Sequence, residues 1–218
     1  MMQAMTDRVM RYDLICADPP WEYTAAGAIT KKRGCRRARA DAHYPTMPVS
    51  EMVGAFRPLL DQWAAPDCAL AVWCTWPKLP ELVPLLDGWG FSFVTGLLVW
   101  VKTRDPIDEG QGTLLPADLS NCTRKGLGFY SRLDTEFCIL ARRGKPPLPV
   151  DRNVRQTLFA EGETIYEPIR QHSRKPDEAY RRLVQLWPAA RRLEMFARTQ
   201  RPGWDRWGNE TTKFGVSA

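Results

Sequence analysis

The apolar positions of the chain fall into two kinds of pattern. Short continuous runs, such as residues 12–17 and 69–75, are typical of strands buried on both faces of a sheet. Apolar residues three or four positions apart, as in residues 50–64, predict helices that pack one face on that sheet. We therefore predict strands at residues 12–17, 69–75, 93–102, 136–142, 192–197 and 204–207, a short strand at residues 155–160, and helices at residues 50–64, 79–89 and 176–187.

Capping signals define the ends of these helices. Ser50 is expected to cap the first helix, and Gly88 with Gly90 to end the second. Pro176 stands where the first residue of the last helix is expected, and Pro188 stops that helix. Because helices alternate with buried strands, we expect right-handed crossovers and an α/β fold with a mostly parallel sheet and helices on both faces.

Two long stretches interrupt this alternation, at residues 22–47 and 103–133. Loops longer than about 15 residues are uncommon inside a compact domain unless they are functional or disordered. We predict that both stretches are substrate loops. No linker divides the sequence, so residues 1–218 are expected to form a single domain.

Composition indicates a soluble globular protein. The chain has 218 residues, of which 44% are hydrophobic, enough for a substantial core. It has no signal-peptide pattern, and no apolar run approaches the about 18 residues of a membrane span. The six cysteines form no C-x-x-C pair, and the two histidines suggest no metal site. We therefore expect a cytoplasmic protein with neither a membrane segment nor a metal.

The net charge of +6 is unevenly distributed. Between Glu22 and Asp41 there is no acidic residue, while six basic residues surround Gly34. This basic cluster has two interpretations: a solvated charged face, or a loop that contacts the phosphates of a nucleic acid beside the active centre. Its members are Lys31, Lys32, Arg33, Arg36, Arg37 and Arg39.

The tetrapeptide Asp18-Pro19-Pro20-Trp21 follows the first predicted strand. Ligands of open α/β sheets gather at the carboxyl ends of the strands. The tetrapeptide offers a carboxylate, carbonyl acceptors without neighbouring amide donors, and a flat indole, since proline has no N–H. That combination suits a planar substrate with an NH₂ group. The alternative is a turn that ends the strand, with Asp18 in solvent and Trp21 in the core.

Three further positions carry groups that a core alone does not require. Glu194 ends the penultimate strand, where a carboxylate can accept hydrogen bonds from two ribose hydroxyls; the alternative is a salt bridge with Arg198. Lys175 precedes the last helix, where it could meet a carboxylate docked at the helix N-terminus; the alternative is an exposed lysine. Asn209 and Glu210 could bind a sugar or an amino-acid group, or be solvated.

In their order along the chain, these motifs resemble the signatures of the adenine-N6 methyltransferases related to the catalytic subunit of the eukaryotic mRNA adenosine methyltransferase. A lone Asp-Pro-Pro-Trp is a weak signal, whereas four motifs in this order, from about Tyr12 to Glu210, are a strong one. The four are Asp18-Pro19-Pro20-Trp21, His172-Ser173-Arg174-Lys175-Pro176-Asp177-Glu178, Glu194-Met195-Phe196-Ala197-Arg198 and Trp207-Gly208-Asn209-Glu210, and weaker matches are Tyr44-Pro45-Thr46-Met47 and Val99-Trp100-Val101-Lys102-Thr103.

The resemblance implies a Rossmann-like fold of permuted order, in which the catalytic tetrapeptide precedes the main segment that binds S-adenosylmethionine. It implies that Glu194 holds the cofactor ribose and that Lys175 meets the cofactor carboxylate or the incoming adenine. The cofactor-binding residues implied in this way are Asp18, Lys175, Glu194, Arg198, Asn209 and Glu210. The implied substrate-binding residues are Tyr44, Trp73, Trp100 and Glu136, to which the charge pattern adds the basic cluster.

The chain departs from the mRNA-modifying members of that family at three points. It contains no counterpart of an acidic residue, upstream of the tetrapeptide strand, that helps to bind the cofactor adenine. Glu210 stands where those members have glutamine, and Gln200-Arg201 replaces a His-Asn pair. These departures leave the contacts to the cofactor adenine and ribose open, but not the reaction.

The implied reaction is methyl transfer to N6 of adenine. The exocyclic amine is a poor nucleophile because its lone pair is delocalised into the ring. Hydrogen bonds from its two N–H groups to Asp18 and to the Pro19 carbonyl would localise that lone pair. Trp21 would stack on the base, which must be flipped out of a duplex before such chemistry.

We expect DNA as the substrate, because the chain lacks the extensions of the RNA-modifying members. RNA is the first alternative. A non-catalytic nucleic-acid-binding subunit is a rival of another class, although such a subunit is expected to lose Asp18 or Glu194. A small-molecule methyltransferase is disfavoured by the basic cluster. The resemblance also implies dimerisation, as a homodimer or a heterodimer.

Overall fold

A computed structural model describes residues 11–23, 46–103, 135–154, 156, 166–168, 174–209 and 211. Within these residues the chain forms seven strands and three α-helices. The strands are β1 (Tyr12–Ala17), β2 (Ala64–Cys74), β3 (Ser92–Thr103), β4 (Thr135–Arg143), β5 (Tyr166–Pro168), β6 (Arg192–Met195) and β7 (Asp205–Trp207). The helices are α1 (Val49–Trp63), α2 (Leu79–Trp89) and α3 (Asp177–Leu186), and a 3₁₀ turn covers Trp76–Lys78.

The seven strands form one sheet in the order β5-β3-β4-β2-β1-β6-β7. β1 pairs in parallel with β2 and β6, β6 with β7, and β3 with β5. β4 runs antiparallel to both of its neighbours, β2 and β3. The predicted α/β fold with a mostly parallel, Rossmann-like sheet is confirmed. Because β4 is reversed, its first residues lie at the edge where the other strands of the centre end.

Helices cover both faces of the sheet, since alternate residues of a strand point to opposite sides. In β2, Leu70 and Val72 pack with α1 and α2, while Ala69 and Ala71 pack with α3. All four side chains are buried. The continuous apolar run in the sequence therefore reflects a strand that meets solvent on neither face.

Two helix starts differ from the prediction. Pro48, not Ser50, occupies the capping position of α1, and its carbonyl accepts the N–H of Met52 at 3.0 Å. Pro176 likewise caps α3 instead of being its first residue. Proline suits this position because its φ is fixed and it has no N–H to leave unpaired. Gly90 follows the end of α2 as predicted, with a φ of 78°, whereas Gly88 lies inside the helix and does not end it.

The bounds of β2 and β6 differ from the prediction, since β2 begins earlier and β6 ends at Met195 and not at residue 197. β2 begins at Ala64 and not at the predicted residue 69. Its pairing with β1 shifts register between Ala64 and Ala69, and Pro66 and Asp67 lie within that shift. The N–H that proline lacks is therefore not needed for a ladder hydrogen bond. β5 was not predicted, since three residues that include a proline carry no strand pattern. The strand predicted at residues 155–160 lies outside the described residues apart from Gln156, which forms a bend. The predicted substrate loops also lie outside them, except at their ends.

Two further features bear on the sequence-based expectations. No helix in the part of the chain that the structure describes is long and apolar enough to cross a membrane. The four described cysteines, Cys16, Cys68, Cys74 and Cys138, are all buried and unpaired.

Arg143 ties the ends of two helices to the sheet. Its guanidinium donates to the carbonyls of Leu60 at the end of α1 and of Trp89 and Gly90 at the end of α2, at 3.4, 2.8 and 3.3 Å. Asp61 lies 3.0 Å from the same group. A cation that satisfies the last carbonyls of a helix also interacts favourably with the helix dipole.

We predict that Arg143→Ala lowers the free energy of unfolding by about 2 kcal/mol, because it leaves these carbonyls without a charged donor. Arg142→Ala is the matched control: its side chain is exposed, and the change should stay within about 0.5 kcal/mol. Urea unfolding of both variants measures the difference. Equal stability of the two variants would contradict this role of Arg143.

Candidate active site

The candidate residues converge where β1 ends. Asp18 directly follows β1, and Glu194 of β6 lies beside Cys16 of β1 in the parallel register. β1 lies between β2 on one side and β6 on the other. The helix before β2 and the helix before β6 lie on opposite faces of the sheet. Ligands of open α/β sheets bind at such a switch point, outside the carboxyl ends of the strands.

Asp18 belongs to a chain of ion pairs. Lys175 Nζ lies 2.8 Å from Asp18 Oδ2 and 3.1 Å from Glu136 Oε2. Glu136 Oε1 in turn lies 2.5 Å from Lys102 Nζ. The side chain of Lys175 is 7% exposed and that of Asp18 is 25% exposed. The two alternatives, a solvated Asp18 and an exposed Lys175, are therefore wrong.

This network shifts the pKa of each member. Burial alone would raise the pKa of Glu136, but Lys175 and Lys102 outweigh it and lower that pKa to about 2. Burial raises the pKa of Asp18 above its ordinary 3.8; Lys175 opposes the rise and Glu136 adds to it. Burial would lower the pKa of Lys175, but the two carboxylates raise it well above its usual range. Asp18 is thus a carboxylate of raised basicity beside a fixed cation.

Trp73 and Trp100 lie beneath this network. They are 1% and 2% exposed, and their rings meet edge to face with centroids 6.5 Å apart. Lys175 Nζ lies 5.7 Å from the centroid of the Trp73 ring, and Lys102 Nζ lies 5.4 Å from that of Trp100. The resemblance implies that these two tryptophans bind the substrate, but both rings are too deeply buried to contact it. They instead stabilise the two lysines through cation–π contacts.

The tetrapeptide is fixed by its own backbone and by the core. The Pro19 carbonyl accepts the N–H of Trp21 at 2.8 Å, and the Pro20 carbonyl accepts that of Met47 at 2.8 Å. The Trp21 indole donates its N–H to the Trp73 carbonyl at 3.1 Å and is 4% exposed. The expected stacking of Trp21 on a base therefore does not fit, because its ring is packed in the core, as the alternative expected.

Glu194 is 6% exposed and engaged by its neighbours. Tyr180 donates its hydroxyl to Oε1 at 2.7 Å, and Arg201 Nη1 lies 2.8 Å from Oε1 and 2.7 Å from Oε2. Arg201 also donates to Asp177 at 3.2 Å and stacks 3.6 Å from the centroid of the Tyr180 ring. The salt bridge of Glu194 is thus made with Arg201, not with Arg198 as the alternative expected. Burial raises the pKa of Glu194, and Arg201 and Tyr180 oppose the rise.

Phe196 accounts for this change of partner. It follows β6 with a φ of 60°, a left-handed conformation that is rare for a bulky residue and costs of the order of 1–3 kcal/mol. Its ring is held edge to face by Phe56 and Trp207, with centroids 5.0 and 5.8 Å away. The chain turns there, so Glu194 meets the arginine seven positions on.

One cavity opens at this edge of the sheet. The implied cofactor residues that line it are Asp18, Lys175, Glu194 and Arg198. Tyr180, Thr199 and Arg201 also line it, although none of them was predicted to belong to the site. The helical spacing of Tyr180 is that of a core residue, so it does not indicate a site. No sequence pattern marks Thr199. Arg201 was visible only as a departure from the family pattern.

Of the described candidate residues, Asn209 does not join this cavity. Asn209 follows β7, is exposed, and is not among the residues that line the cavity. Gly208 brings this turn close to β6, since a Cβ there would lie 2.9 Å from the Ala197 amide nitrogen. Glu210, Tyr44 and the basic cluster lie outside the described residues. Among the described residues, no group of His, Cys, Asp or Glu is placed to hold a metal ion.

Comparisons with known proteins identify relatives of the chain. The model of the MT-A70 family matches residues 12–210. The chain is 31% identical over 212 residues to the Type II methyltransferase M.MunI of a Mycoplasma species, with 92% of this chain and 78% of that protein covered.

Eukaryotic relatives are matched over a smaller part of their length. The chain is 28% identical over 202 residues to the N(6)-adenosine-methyltransferase MT-A70-like protein of Arabidopsis thaliana, covering 91% of this chain and 24% of that protein. It is 25% identical over 203 residues to the human N(6)-adenosine-methyltransferase catalytic subunit METTL3, covering 92% of this chain and 28% of that protein. The match to these proteins thus concerns about a quarter of their length.

Proposed function

Because the chain belongs to the MT-A70 family of methyltransferases, we propose that it transfers a methyl group from S-adenosylmethionine to the N6 amine of adenine in DNA. The observation that carries this proposal is the carboxylate of Asp18 at the end of β1, oriented by Lys175 at 2.8 Å and lining the cavity. A fixed carboxylate beside a cavity is suited to orient an NH₂ group.

Asp18 and Pro19 supply the two acceptors that the amine requires. The Pro19 carbonyl already accepts the N–H of Trp21 at 2.8 Å, but a carbonyl oxygen has a second lone pair. Hydrogen bonds from both N–H groups of adenine would localise the nitrogen lone pair and hold it in one direction. The charge on Asp18 would also stabilise the positive charge that develops on that nitrogen. Catalysis would then consist chiefly of alignment and electrostatic stabilisation.

The residues of the cavity fit the cofactor. S-adenosylmethionine, when bound, supplies an electrophilic methyl group on a sulfonium. Lys175 and Arg198 offer cations for its carboxylate, and Glu194 offers an acceptor for its ribose. Two buried polar atoms of residues that line this cavity, Thr199 Oγ1 and Arg201 Nε, have no partner in the structure. Buried polar atoms are normally hydrogen-bonded, so such atoms favour a polar ligand.

The pairing of Trp21 with Met47 supports a nucleic-acid substrate. The two residues form an isolated parallel bridge. The basic cluster lies between them in the sequence, so that stretch of chain leaves from and returns to the tetrapeptide. Both described ends of that stretch therefore lie at the tetrapeptide, and we propose that its cations contact phosphates of the substrate.

We prefer DNA over RNA because of the relatives. One relative that is covered over 78% of its length is a Type II methyltransferase. The relatives named for adenosine are covered over about a quarter of theirs. The presence of both Asp18 and Glu194 disfavours a non-catalytic subunit. A reducing cytoplasm suits the buried, unpaired cysteines.

Matched oligonucleotides test this proposal. Duplex DNA, single-stranded DNA and RNA of one sequence are incubated with S-adenosylmethionine labelled in its methyl group. We expect label in DNA at a rate at least about tenfold above that in RNA, and none in DNA whose adenines are already N6-methylated. Faster transfer to RNA would assign the enzyme to RNA. Binding of DNA without any transfer would favour the subunit instead.

A further inference from the structure

Two residues of the cavity wall hold buried polar atoms without a partner. Thr199 is 1% exposed and its hydroxyl oxygen makes no hydrogen bond, and Arg201 is 7% exposed with an unpartnered Nε. An unsatisfied buried group costs free energy in the ligand-free protein. Its retention at a cavity therefore points to a ligand that satisfies it.

Glu194 is nearly saturated by the protein itself. A carboxylate offers about four lone-pair sites. Oε1 accepts Tyr180 and Arg201, and Oε2 accepts Arg201. One site, on Oε2, therefore remains. Glu194 can accept a hydrogen bond from one ribose hydroxyl, but not from both, so the second hydroxyl requires another partner.

We propose that Thr199 is that partner, a cofactor-binding residue of this chain that shares the ribose of the cofactor with Glu194. A threonine hydroxyl both donates and accepts, so it can pair with a ribose hydroxyl in either orientation. Arg201 fixes Glu194 by contacting both of its oxygens. The inference rests on the proposed use of S-adenosylmethionine.

A role in binding is separable from a role in folding. Thr199→Val keeps the shape of the side chain but removes the hydroxyl. Since that hydroxyl has no partner in the protein, its removal should leave the melting temperature of the ligand-free protein unchanged or higher. Thr199→Ser retains the hydroxyl and serves as the matched control.

Calorimetry with S-adenosylhomocysteine, the unreactive product, measures the effect without any turnover. We expect Thr199→Val to weaken binding by about five- to tenfold, the value of one neutral hydrogen bond, and Thr199→Ser to stay within about threefold of the unmodified protein. The loss should disappear for an analogue of S-adenosylhomocysteine that lacks either the 2′- or the 3′-hydroxyl, depending on which one Thr199 contacts.

Equal affinity of Thr199→Val and the unmodified protein would overturn the inference, as would a loss of the same size with both deoxy analogues. Either result would leave the proposed cofactor intact, because the unmodified protein still binds. Absence of binding by the unmodified protein, with and without DNA, would overturn the proposed cofactor and this inference with it.

Discussion

Replacing Asp18 with alanine should reduce the rate of methyl transfer by more than about 10³-fold, beyond the loss typical of a single stabilising group. The reason lies in the position of its carboxylate, at the end of β1 and 2.8 Å from Lys175. Without it the amine of the substrate loses one acceptor and the stabilisation of its developing charge. Single-turnover rates with excess enzyme measure this step directly.

The variant should remain folded. Lys175 keeps Glu136 as its partner at 3.1 Å, so no buried charge is left alone. Asp87→Ala is the matched control, since Asp87 is exposed on α2, and its rate should equal that of the unmodified enzyme. Turnover by Asp18→Ala near the unmodified rate would contradict the assigned role.

Replacing Lys175 with methionine should lower the free energy of unfolding by about 3 kcal/mol at pH 7. Loss of one partner from a buried ion pair leaves an uncompensated charge, here on Asp18, while Glu136 keeps Lys102. Lys145→Met is the control, because Lys145 is exposed and its stability should not change. Denaturant unfolding of the two variants gives the comparison, and a loss in Lys175→Met no larger than in the control would contradict the role of the network.

The Lys175→Met substitution should also alter how the free energy of unfolding depends on pH. Glu136 has a pKa of about 2, below its ordinary 4.5. Its ion pairs therefore stabilise the fold fully above pH 4.5 and lose that contribution as the pH falls through 2. The pKa of Asp18 lies above its ordinary value, so its ionised form is the costly one. In Lys175→Met the deficit in stability should narrow as the pH falls, because the unpaired Asp18 becomes protonated.

The rate of methyl transfer should also depend on pH through the ionisation of Asp18. Asp18 must be ionised to stabilise the positive charge that develops on the amine, so the rate should fall on the acid side through its raised pKa. Lys175 opposes that rise, and its removal should move the acid limb of the rate profile to higher pH. A purely structural lysine would lower the amount of folded enzyme without moving that limb.

Sequence predicts the position of a functional group well where local signals mark the end of a strand. An apolar run followed by two prolines is enough to place Asp18 at the end of β1, and an apolar run alone places Glu194 in β6. The pairing of Glu136 with Lys175 is not accessible in this way. It depends on β4 being reversed, so that its start lies beside the end of β1, and no local pattern records strand direction.

The partner of Glu194 shows a second limit. Arg198 is the natural partner if the strand continues to residue 197, as its apolar residues predict. The left-handed φ of Phe196 ends the strand at Met195, and Arg201 takes the place instead. That conformation is held by packing against Phe56 and Trp207, which are distant in sequence. Trp21 was misjudged for a similar reason, since its burial depends on the fold around it.

Mass spectrometry of the nucleosides released from duplex DNA, after incubation with the enzyme and S-adenosylmethionine, identifies the base and the atom that receive the methyl group. We expect N6-methyldeoxyadenosine as the methylated nucleoside with the unmodified enzyme, and none above background with Asp18→Ala. A methylated base other than N6-methyladenine, or equal amounts of N6-methyladenine from the two proteins, would contradict the proposed reaction.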